Sequence, residues 1–295
     1  MKKKVIFKGV ATALITPFSD GEIDYSCLER LIEFQIYSGI DAIVIGGTTG
    51  EAATLSNEER YKLFREAKRM INGRCKLILG TGTNDTRVAK LHTEYASRLG
   101  CDGVLLVTPY YNRGTKDGVI KHYLEIAEVS EVPMLLYNVP GRTGVNLSLE
   151  TLEELRKCEK IVGIKEASDS DERLVALSAF GDTLHLYAGN DSQIFSTLSL
   201  GGLGVVSVLS NLMPKETRDI CKLFFTGRRD ESLKLQQKLL PVINSLFLET
   251  NPAPIKYAMS RAGMCSPEMR LPMWLPTEAS RRRIDEAISA FRSSV

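Results

Sequence analysis

The chain has 295 residues, of which 38 are lysine or arginine and 36 are aspartate or glutamate, so the formal net charge is only +2. A charge this close to zero gives no reason to expect a nucleic acid or an anionic membrane surface as a partner. Hydrophobic residues make up 43% of the chain and charged residues 25%, proportions that are typical of an ordinary soluble domain and exclude collagen-like, coiled-coil and disordered classes.

Short apolar runs recur along most of the chain. There are eight of them: Gly9–Ile15, Ala42–Ile45, Lys76–Leu79, Gly103–Val107, Pro133–Tyr137, Ile161–Lys165, Leu184–Tyr187 and Gly204–Leu209. They are almost continuously apolar, which is typical of parallel strands buried on both faces. Eight strand–helix units predict an α/β fold closed as a (β/α)8 TIM barrel, and no glycine-rich dinucleotide fingerprint follows the first run to favour a Rossmann fold.

Helical periodicity separates the runs and continues after them. One apolar stripe stops at Gly39 and consists of Leu28, Leu31, Ile32 and Ile36. A second helix start is indicated by Ser56–Glu59, which has the pattern of a capping box. The eighth unit ends near Phe225. Three further helices are predicted at Arg229–Leu248, Pro254–Ala262 and Thr277–Phe291. The predicted domains are therefore a catalytic barrel over residues 1–225 and a helical region over residues 226–295.

Neither a metal nor another cofactor is indicated by the sequence. The six cysteines contain no C-x-x-C pair, and the three histidines form no chelating pair. Scattered cysteines in a chain without a recognisable signal sequence predict a reduced, cytoplasmic protein. An uncharged stretch at 192–214 contains several serines and glycines and a closing proline, so we interpret it as buried core and not as a membrane span.

In an eight-stranded barrel the active site lies where the C-terminal ends of the strands meet the following loops. Lys165 ends the sixth apolar run, where burial would lower the pKa of its amine and make it a nucleophile toward a carbonyl group. A lysine at this position could instead extend to solvent. Tyr137 ends the neighbouring run, and its phenol could transfer protons at the same place.

Other strand ends carry groups suited to binding carboxylates. Thr48 and Thr49 lie in a glycine-flanked turn whose hydroxyl and N–H groups could hold a carboxylate, although a tight turn built of small residues gives the same pattern. Arg142 offers a planar fork for a second carboxylate. Tyr110 and Tyr111 could be core or interface aromatics, and their spacing does not decide between these roles.

Taken together, these motifs resemble the 4-hydroxy-tetrahydrodipicolinate synthase (dihydrodipicolinate synthase) family. The resemblance covers essentially the whole chain. The segments that carry it are Gly46–Glu51, Thr108–Asn112, Tyr137–Gly144, Ile164–Ala167, Asn251–Lys256 and Arg270–Pro272. Each motif alone would be weak, whereas the combination is highly specific.

The resemblance implies a catalytic role for five residues. Lys165 matches the lysine that forms a Schiff base with pyruvate, and Tyr137 matches the tyrosine that transfers protons beside it. Thr49 and Tyr111 match the other hydroxyls of a relay, and the tyrosine is expected to reach in from a neighbouring subunit. Thr48 matches a loop threonine assigned to the same relay, and Thr49 is also a substrate-binding candidate.

The resemblance also implies the substrates and the reaction. Arg142 matches the arginine that receives the carboxylate of L-aspartate 4-semialdehyde, and Gly189 and Val206 match positions that present backbone groups around pyruvate. The implied reaction is class I aldol chemistry that gives 4-hydroxy-tetrahydrodipicolinate for the diaminopimelate and lysine pathway. The implied assembly is a homotetramer arranged as a dimer of dimers.

One departure from the family pattern concerns feedback by lysine. Relatives that lysine inhibits carry a glutamate in the third βα segment and one or two histidines after the Gly-Thr-Thr-Gly-Glu loop. The aligned positions here are Val88, Asn57 and Arg60, so a carboxylate for the lysine ammonium is missing. Weak or absent inhibition by lysine is the resulting prediction.

Two alternative functions share many of these features. A pyruvate-dependent lyase of N-acetylneuraminate or of a 2-keto-3-deoxy sugar acid would use the same lysine and tyrosine. Arg142 and the Tyr110-Tyr111 pair favour the synthase, because a polyol substrate calls for neutral hydrogen-bonding groups and not for a carboxylate-binding fork. A non-catalytic keto-acid sensor is the other alternative, and the complete lysine, tyrosine and threonine set argues against it.

Overall fold

The computed structural model describes residues 2–293 and contains a closed barrel of eight parallel strands. The strands in chain order are β1 (Gly9–Ala13), β2 (Phe18–Ser19), β3 (Glu22–Ile23), β4 (Ala42–Ile45), β5 (Lys76–Gly80), β6 (Gly103–Val107), β7 (Met134–Asn138), β8 (Ile161–Glu166), β9 (His185–Ala188) and β10 (Gly204–Ser207). β2 and β3 form a small separate hairpin, and the other eight close the barrel as β1 pairs with both β4 and β10. The predicted fold class is confirmed.

Helices surround the barrel and continue beyond its last strand. They are α1 (Tyr25–Tyr37), α2 (Asn57–Ile71), α3 (Thr86–Arg98), α4 (Lys116–Val129), α5 (Pro140–Thr143), α6 (Leu149–Leu155), α7 (Asp171–Ser178), α8 (Ile194–Ser199), α9 (Pro214–Phe225), α10 (Arg229–Ser245), α11 (Ala253–Arg261) and α12 (Glu278–Ser293). The capping box at the start of α2 is confirmed, because the Ser56 and Glu59 side chains each bond the other residue's backbone N–H. None of the helices in residues 2–293 is long and apolar enough to cross a membrane.

Two apolar layers explain why the strands lack an alternating pattern. On β7, Leu135 and Tyr137 belong to a cluster to which all eight barrel strands contribute, so this cluster fills the barrel centre. Met134 and Leu136 belong instead to the larger cluster between the strands and the helices. Each strand is therefore buried on both faces, as parallel strands covered by helices must be.

Of the last three helices, α10 packs onto helices of the barrel, and α11 and α12 extend this packing. α10 contacts α8, α9 and α12, and α11 contacts α12. The structure ends α9 at Phe225 and begins α10 at Arg229, which brackets the predicted boundary between residues 225 and 226. The division into two domains stays a prediction, and Met1, Ser294 and Val295 of the predicted ranges lie outside the described residues.

Candidate active site

A bulge in β8 determines which way its lysine faces. Met134 of β7 is level with Ile161, but Leu135 is level with Gly163, so β8 contains one extra residue at this point. Because neighbouring residues of a strand face opposite sides, the extra residue reverses the facing of all residues after it. Lys165 consequently lies level with Tyr137, and Ile164 packs in the outer layer.

Gly163 makes this bulge possible. A Cβ atom at that position would lie 2.7 Å from the His185 carbonyl oxygen and 3.0 Å from the Leu135 side chain. The first separation is too short for non-bonded atoms unless the backbone of a strand shifts, and the second requires the Leu135 side chain to move slightly. The close approach of the β9 backbone therefore requires a glycine two residues before Lys165.

The Lys165 amine is held in a desolvated environment. Its exposed fraction is 5%, and burial lowers its pKa from 10.5 to about 7, while the Asp191 carboxylate acts in the opposite direction and Arg142 lowers the pKa further. With such a pKa, about half of the amines are unprotonated at neutral pH. The lysine is thus a competent nucleophile and does not extend to solvent.

Tyr137 lies directly beside this amine. The Lys165 Nζ atom is 4.0 Å from the centroid of the Tyr137 ring. Burial raises the pKa of the phenol, whereas the Arg142 charge and a hydrogen bond with the Thr48 side chain lower it. The phenol is therefore protonated at neutral pH and has a proton to donate, and Thr48 is the group with which it can exchange that proton.

The loop after β4 places the two threonines. Gly46 begins the loop at a φ of 68°, where the Phe64 ring would also lie 2.8 Å from any Cβ. Thr49 is buried, and its hydroxyl oxygen accepts a hydrogen bond of 3.0 Å from Asn251 Nδ2. Thr48 is half-buried and reaches Tyr137 as described above. The two adjacent hydroxyls are thus held by different partners.

A cavity of about 460 Å³ opens above these residues. Among its walls are the predicted site residues Thr48, Tyr137 and Arg142, together with Asn251 from the segment before α11. Arg142 is exposed at the surface and donates a 2.8 Å hydrogen bond from Nη2 to the Asn251 carbonyl. A substrate in this cavity would meet a guanidinium group on one side and the phenol on the other.

The other predicted site residues lie outside the walls of this cavity. Tyr111 is 90% exposed and has a φ of 71°. Gly189 follows β9, and its N–H is already used in a 2.6 Å hydrogen bond to the Glu166 carbonyl. Val206 is fully buried on β10 and packs in the same central cluster as Tyr137. Within a single chain, therefore, Tyr111 does not meet the lysine.

Sequence reasoning assigned no role to two buried acids beside the site. Asp191 is fully buried, and its Oδ2 accepts hydrogen bonds from the Val208 and Leu209 N–H groups. It is the acidic group that opposes the lowering of the Lys165 pKa. Glu51, from the loop of the threonines, forms a buried ion pair with Lys256. Asp191 could have been suspected from its position just after a strand end, but no local signal links Glu51 to Lys256.

The closed barrel and the buried amine at the end of one strand together define a class of enzyme, a Schiff-base-forming lyase or aldolase. Comparisons with known proteins identify the family. The chain matches the model of the Dihydrodipicolinate synthetase family over residues 6–291, and it belongs to that family.

Individual relatives agree with this assignment. The 4-hydroxy-tetrahydrodipicolinate synthase of Clostridium novyi (strain NT) is 46% identical over 269 residues, which are 91% of each chain. The structure of the synthase from Methylacidiphilum fumariolicum SolV has a TM-score of 0.95 and 40% identity, covering 97% of this chain and 96% of that one. The Acinetobacter baumannii dihydrodipicolinate synthase, solved with pyruvate, has a TM-score of 0.94 and 40% identity, covering 97% and 99%. None of these comparisons favours the sugar-acid lyase or the sensor.

Proposed function

We propose that this protein condenses pyruvate with L-aspartate 4-semialdehyde through a Schiff base on Lys165. The product would be 4-hydroxy-tetrahydrodipicolinate, which supplies the diaminopimelate and lysine pathway. The observation that carries the proposal is the buried Lys165 amine, with its pKa lowered to about 7, next to the Tyr137 phenol. The names of the related enzymes support the choice of substrates.

The first half of the mechanism activates pyruvate. The Lys165 amine attacks the ketone carbon, and the resulting carbinolamine loses its hydroxyl group as water once that oxygen has been protonated. Tyr137 donates this proton and is reprotonated through its hydrogen bond with Thr48. The cationic imine then withdraws electrons, so that a methyl proton leaves and an enamine forms.

The second half forms the new carbon–carbon bond. The enamine carbon attacks the aldehyde of aspartate 4-semialdehyde, and the aldehyde oxygen takes up a proton to become a hydroxyl group. Arg142, exposed at the cavity mouth, binds the carboxylate of this second substrate. The amine of the adduct then attacks the imine carbon, which closes the ring and releases the Lys165 amine. One water is lost in the complete reaction.

Three residues complete the proposed pyruvate site. Thr49 contributes its hydroxyl to the relay and to pyruvate binding. Gly189 offers its carbonyl oxygen, because its N–H is already bonded to Glu166. Val206 contributes backbone groups, and its fully buried side chain packs in the same central cluster as Tyr137. Each of these contributions follows from the family resemblance, and the burial of Thr49 and Val206 beside the site supports it.

The proposal includes a homotetramer arranged as a dimer of dimers, working in the cytoplasm. The exposure of Tyr111 supports shared sites, since its side chain is 90% exposed whereas Lys165 of the same chain is 5% exposed. Leu271 and Trp274 are also exposed, at 73% and 70%, and they flank two residues of the cavity wall, Pro272 and Met273. A second copy seated at this mouth would cover these side chains and bring its own Tyr111 to the relay.

Reductive trapping tests the proposed function. The protein is incubated with pyruvate and borohydride, and the expected result is a mass-spectrometric adduct located at Lys165. Turnover is then compared between pyruvate with aspartate 4-semialdehyde and, in the cleavage direction, N-acetylneuraminate and a 2-keto-3-deoxy sugar acid. Absence of an adduct would end the Schiff-base mechanism. Cleavage of a sugar acid without synthase activity would replace the proposed substrates.

A further inference from the structure

Asn251 joins the two halves of the candidate site. Its side-chain amide donates a 3.0 Å hydrogen bond to the Thr49 hydroxyl, and its backbone carbonyl accepts a 2.8 Å hydrogen bond from Arg142. The residue is 6% exposed and forms part of the cavity wall. One residue therefore contacts the groups proposed to serve the two different substrates.

The chemistry of the amide fixes the direction of the hydrogen bond to Thr49. An amide nitrogen only donates, so the Thr49 oxygen is the acceptor and its own hydrogen must point elsewhere. The amide oxygen of Asn251 is buried and has no partner among the described residues. A buried acceptor left without a partner is unfavourable, and packing alone gives no reason to retain one here.

A second contact, made by Lys256, holds the segment of Asn251 at a fixed distance from the loop after β4. Lys256 is fully buried on α11, where it forms an ion pair with Glu51 and donates a 2.8 Å hydrogen bond to the Glu268 carbonyl. Glu51 lies two residues after Thr49, and Lys256 lies five residues after Asn251. The loop and the start of α11 are therefore joined at two points, which prevents one from sliding along the other.

We propose that Asn251 is a positioning residue that orients the Thr49 hydroxyl as a proton donor while its backbone holds Arg142 in place. The Thr49 hydrogen is then directed away from α11 and is available to the relay or to bound pyruvate. Proton transfer to the carbinolamine and binding of the second carboxylate are thereby kept in a fixed geometry. This inference rests on the proposed function of Thr49 and Arg142.

Two variants of Asn251 separate orientation from packing. Asn251→Ala removes the donor, whereas Asn251→Asp keeps the shape but presents a carboxylate that only accepts, so that the Thr49 hydrogen turns toward it. We expect kcat to fall about 10–100-fold in Asn251→Ala and further in Asn251→Asp. The KM for aspartate 4-semialdehyde should change less than about twofold, because Arg142 is bound by the backbone carbonyl, which both variants retain.

The pH dependence of kcat distinguishes a positioning role from a purely structural one, because a purely structural role would leave it unchanged. In Asn251→Asp, burial raises the pKa of the new carboxyl group, and its protonated form can again donate to Thr49. The kcat of this variant relative to the unmodified protein should therefore rise as pH falls, whereas Asn251→Ala should show no such rise. Asn244→Asp, an exposed position on α10, is the matched control and should keep full activity.

Each outcome supports or overturns the proposal. Variant activities within about twofold of the unmodified protein would overturn it, since removal of a proton-relay contact costs far more. A structural role would instead be indicated by three results together: an equal loss of kcat in both variants, a matching loss of folded protein by circular dichroism, and no recovery of kcat at low pH. This combination would also overturn the proposal. Failure of the unmodified protein and the Asn244→Asp control to turn over the two substrates would overturn the proposed function itself. Normal turnover in these two proteins would show that any loss of activity in the variants arises at Asn251.

Discussion

The strand pair β7–β8 and the loop that follows β6 differ in how much of the site each completes within one chain. On the strand pair, Lys165 and Tyr137 are both buried, lie level with each other and are in contact. On the loop, Tyr111 is 90% exposed and meets none of the predicted catalytic groups. The proposed nucleophile and its proposed proton donor are therefore brought together by the barrel alone.

The loop is nevertheless held in a defined conformation. The Tyr110 carbonyl accepts hydrogen bonds from the Asn84 side chain and from the Asn112 N–H, and the Asn112 side chain donates to the Asn84 carbonyl. These contacts keep Tyr111 at its positive φ, which is an unfavourable conformation for a bulky residue. A conformation that needs such support and directs an aromatic side chain to solvent is suited to completing another subunit's site.

Removing the nucleophile should have the largest effect. Lys165→Met should lower kcat at least about 10³-fold and abolish the borohydride-trapped pyruvate adduct, because no other amine lies beside Tyr137 in the described structure. The Tm should stay equal or rise, since a Lys165 pKa lowered from 10.5 to about 7 destabilises the folded state below pH 10.5, most fully below pH 7, and methionine removes that cost. Lys160→Met, just before the same strand, is the control. Substantial activity in Lys165→Met would contradict the mechanism.

Replacing the exposed tyrosine should have a smaller effect. Tyr111→Phe removes only a hydroxyl group at an exposed position, so we expect kcat to fall about 10–100-fold with the Tm unchanged. After subunit exchange, an equal mixture of Tyr111→Phe and Lys165→Met should recover up to about a quarter of full activity, because hybrid dimers contain one intact site.

A second mixture shows whether that recovery reports shared sites. Lys165 and Tyr137 belong to one strand pair of one chain, so mixing Lys165→Met with Tyr137→Phe leaves a defect in every site and should recover nothing. Recovery in both mixtures, or in neither, would contradict the assignment of Tyr111 to the partner subunit. Activity equal to that of the unmodified protein in Tyr111→Phe alone would remove the residue from the relay.

The pH dependence should depend on the strand pair and not on the loop. Since burial lowers the Lys165 pKa to about 7, the amine is protonated and unreactive at lower pH. We expect kcat/KM for pyruvate to fall about tenfold per pH unit below 7 and to level off above it. Tyr111→Phe should lower the plateau and leave the midpoint in place. A midpoint near 10 would show that the amine is not desolvated in solution.

The sequence predicts the strand pair better than it predicts the contacts between distant segments. Polar residues at strand ends point to Lys165 and Tyr137, because a barrel brings those ends together. The extra residue in β8 is not readable from the sequence, since a one-residue change in register leaves the apolar run unaltered. Yet that residue decides whether the lysine faces the barrel centre.

The contacts of Asn251 illustrate what sequence reasoning alone misses. Its partner Thr49 lies 202 residues away along the chain, and no periodicity or motif spacing relates the two positions. The family resemblance singled out the segment Asn251–Lys256 without assigning a task to either end of it. Tyr111 shows a different limit, because its spacing left core and interface roles open. The family resemblance favoured a neighbouring subunit's site, and the observed exposure excludes the core.

The smallest expected effect concerns inhibition by lysine. The relevant cavity wall lies between the β7–β8 strand pair and the loop that follows β6. Tyr110 of the loop, Tyr137 of the strand pair and all three departing positions, Asn57, Arg60 and Val88, line this cavity. Arg60 is 8% exposed and donates to the Ala52 and Gly80 carbonyls. Burial lowers the pKa of its guanidinium group, and the groups that act against this are the Tyr110 and Tyr61 phenols.

A lysine ammonium entering this wall would meet the buried Arg60 guanidinium group, and the Glu51 carboxylate in the wall is already paired with Lys256. The net interaction is repulsive in a poorly solvated cavity. Millimolar L-lysine should therefore change the initial rate less than about twofold at saturating substrate. Arg60→His and Val88→Glu, made together, exchange the unpaired cation for an acid and should increase lysine inhibition if charge is the cause. Strong inhibition of the unmodified protein would show that lysine binds through other contacts.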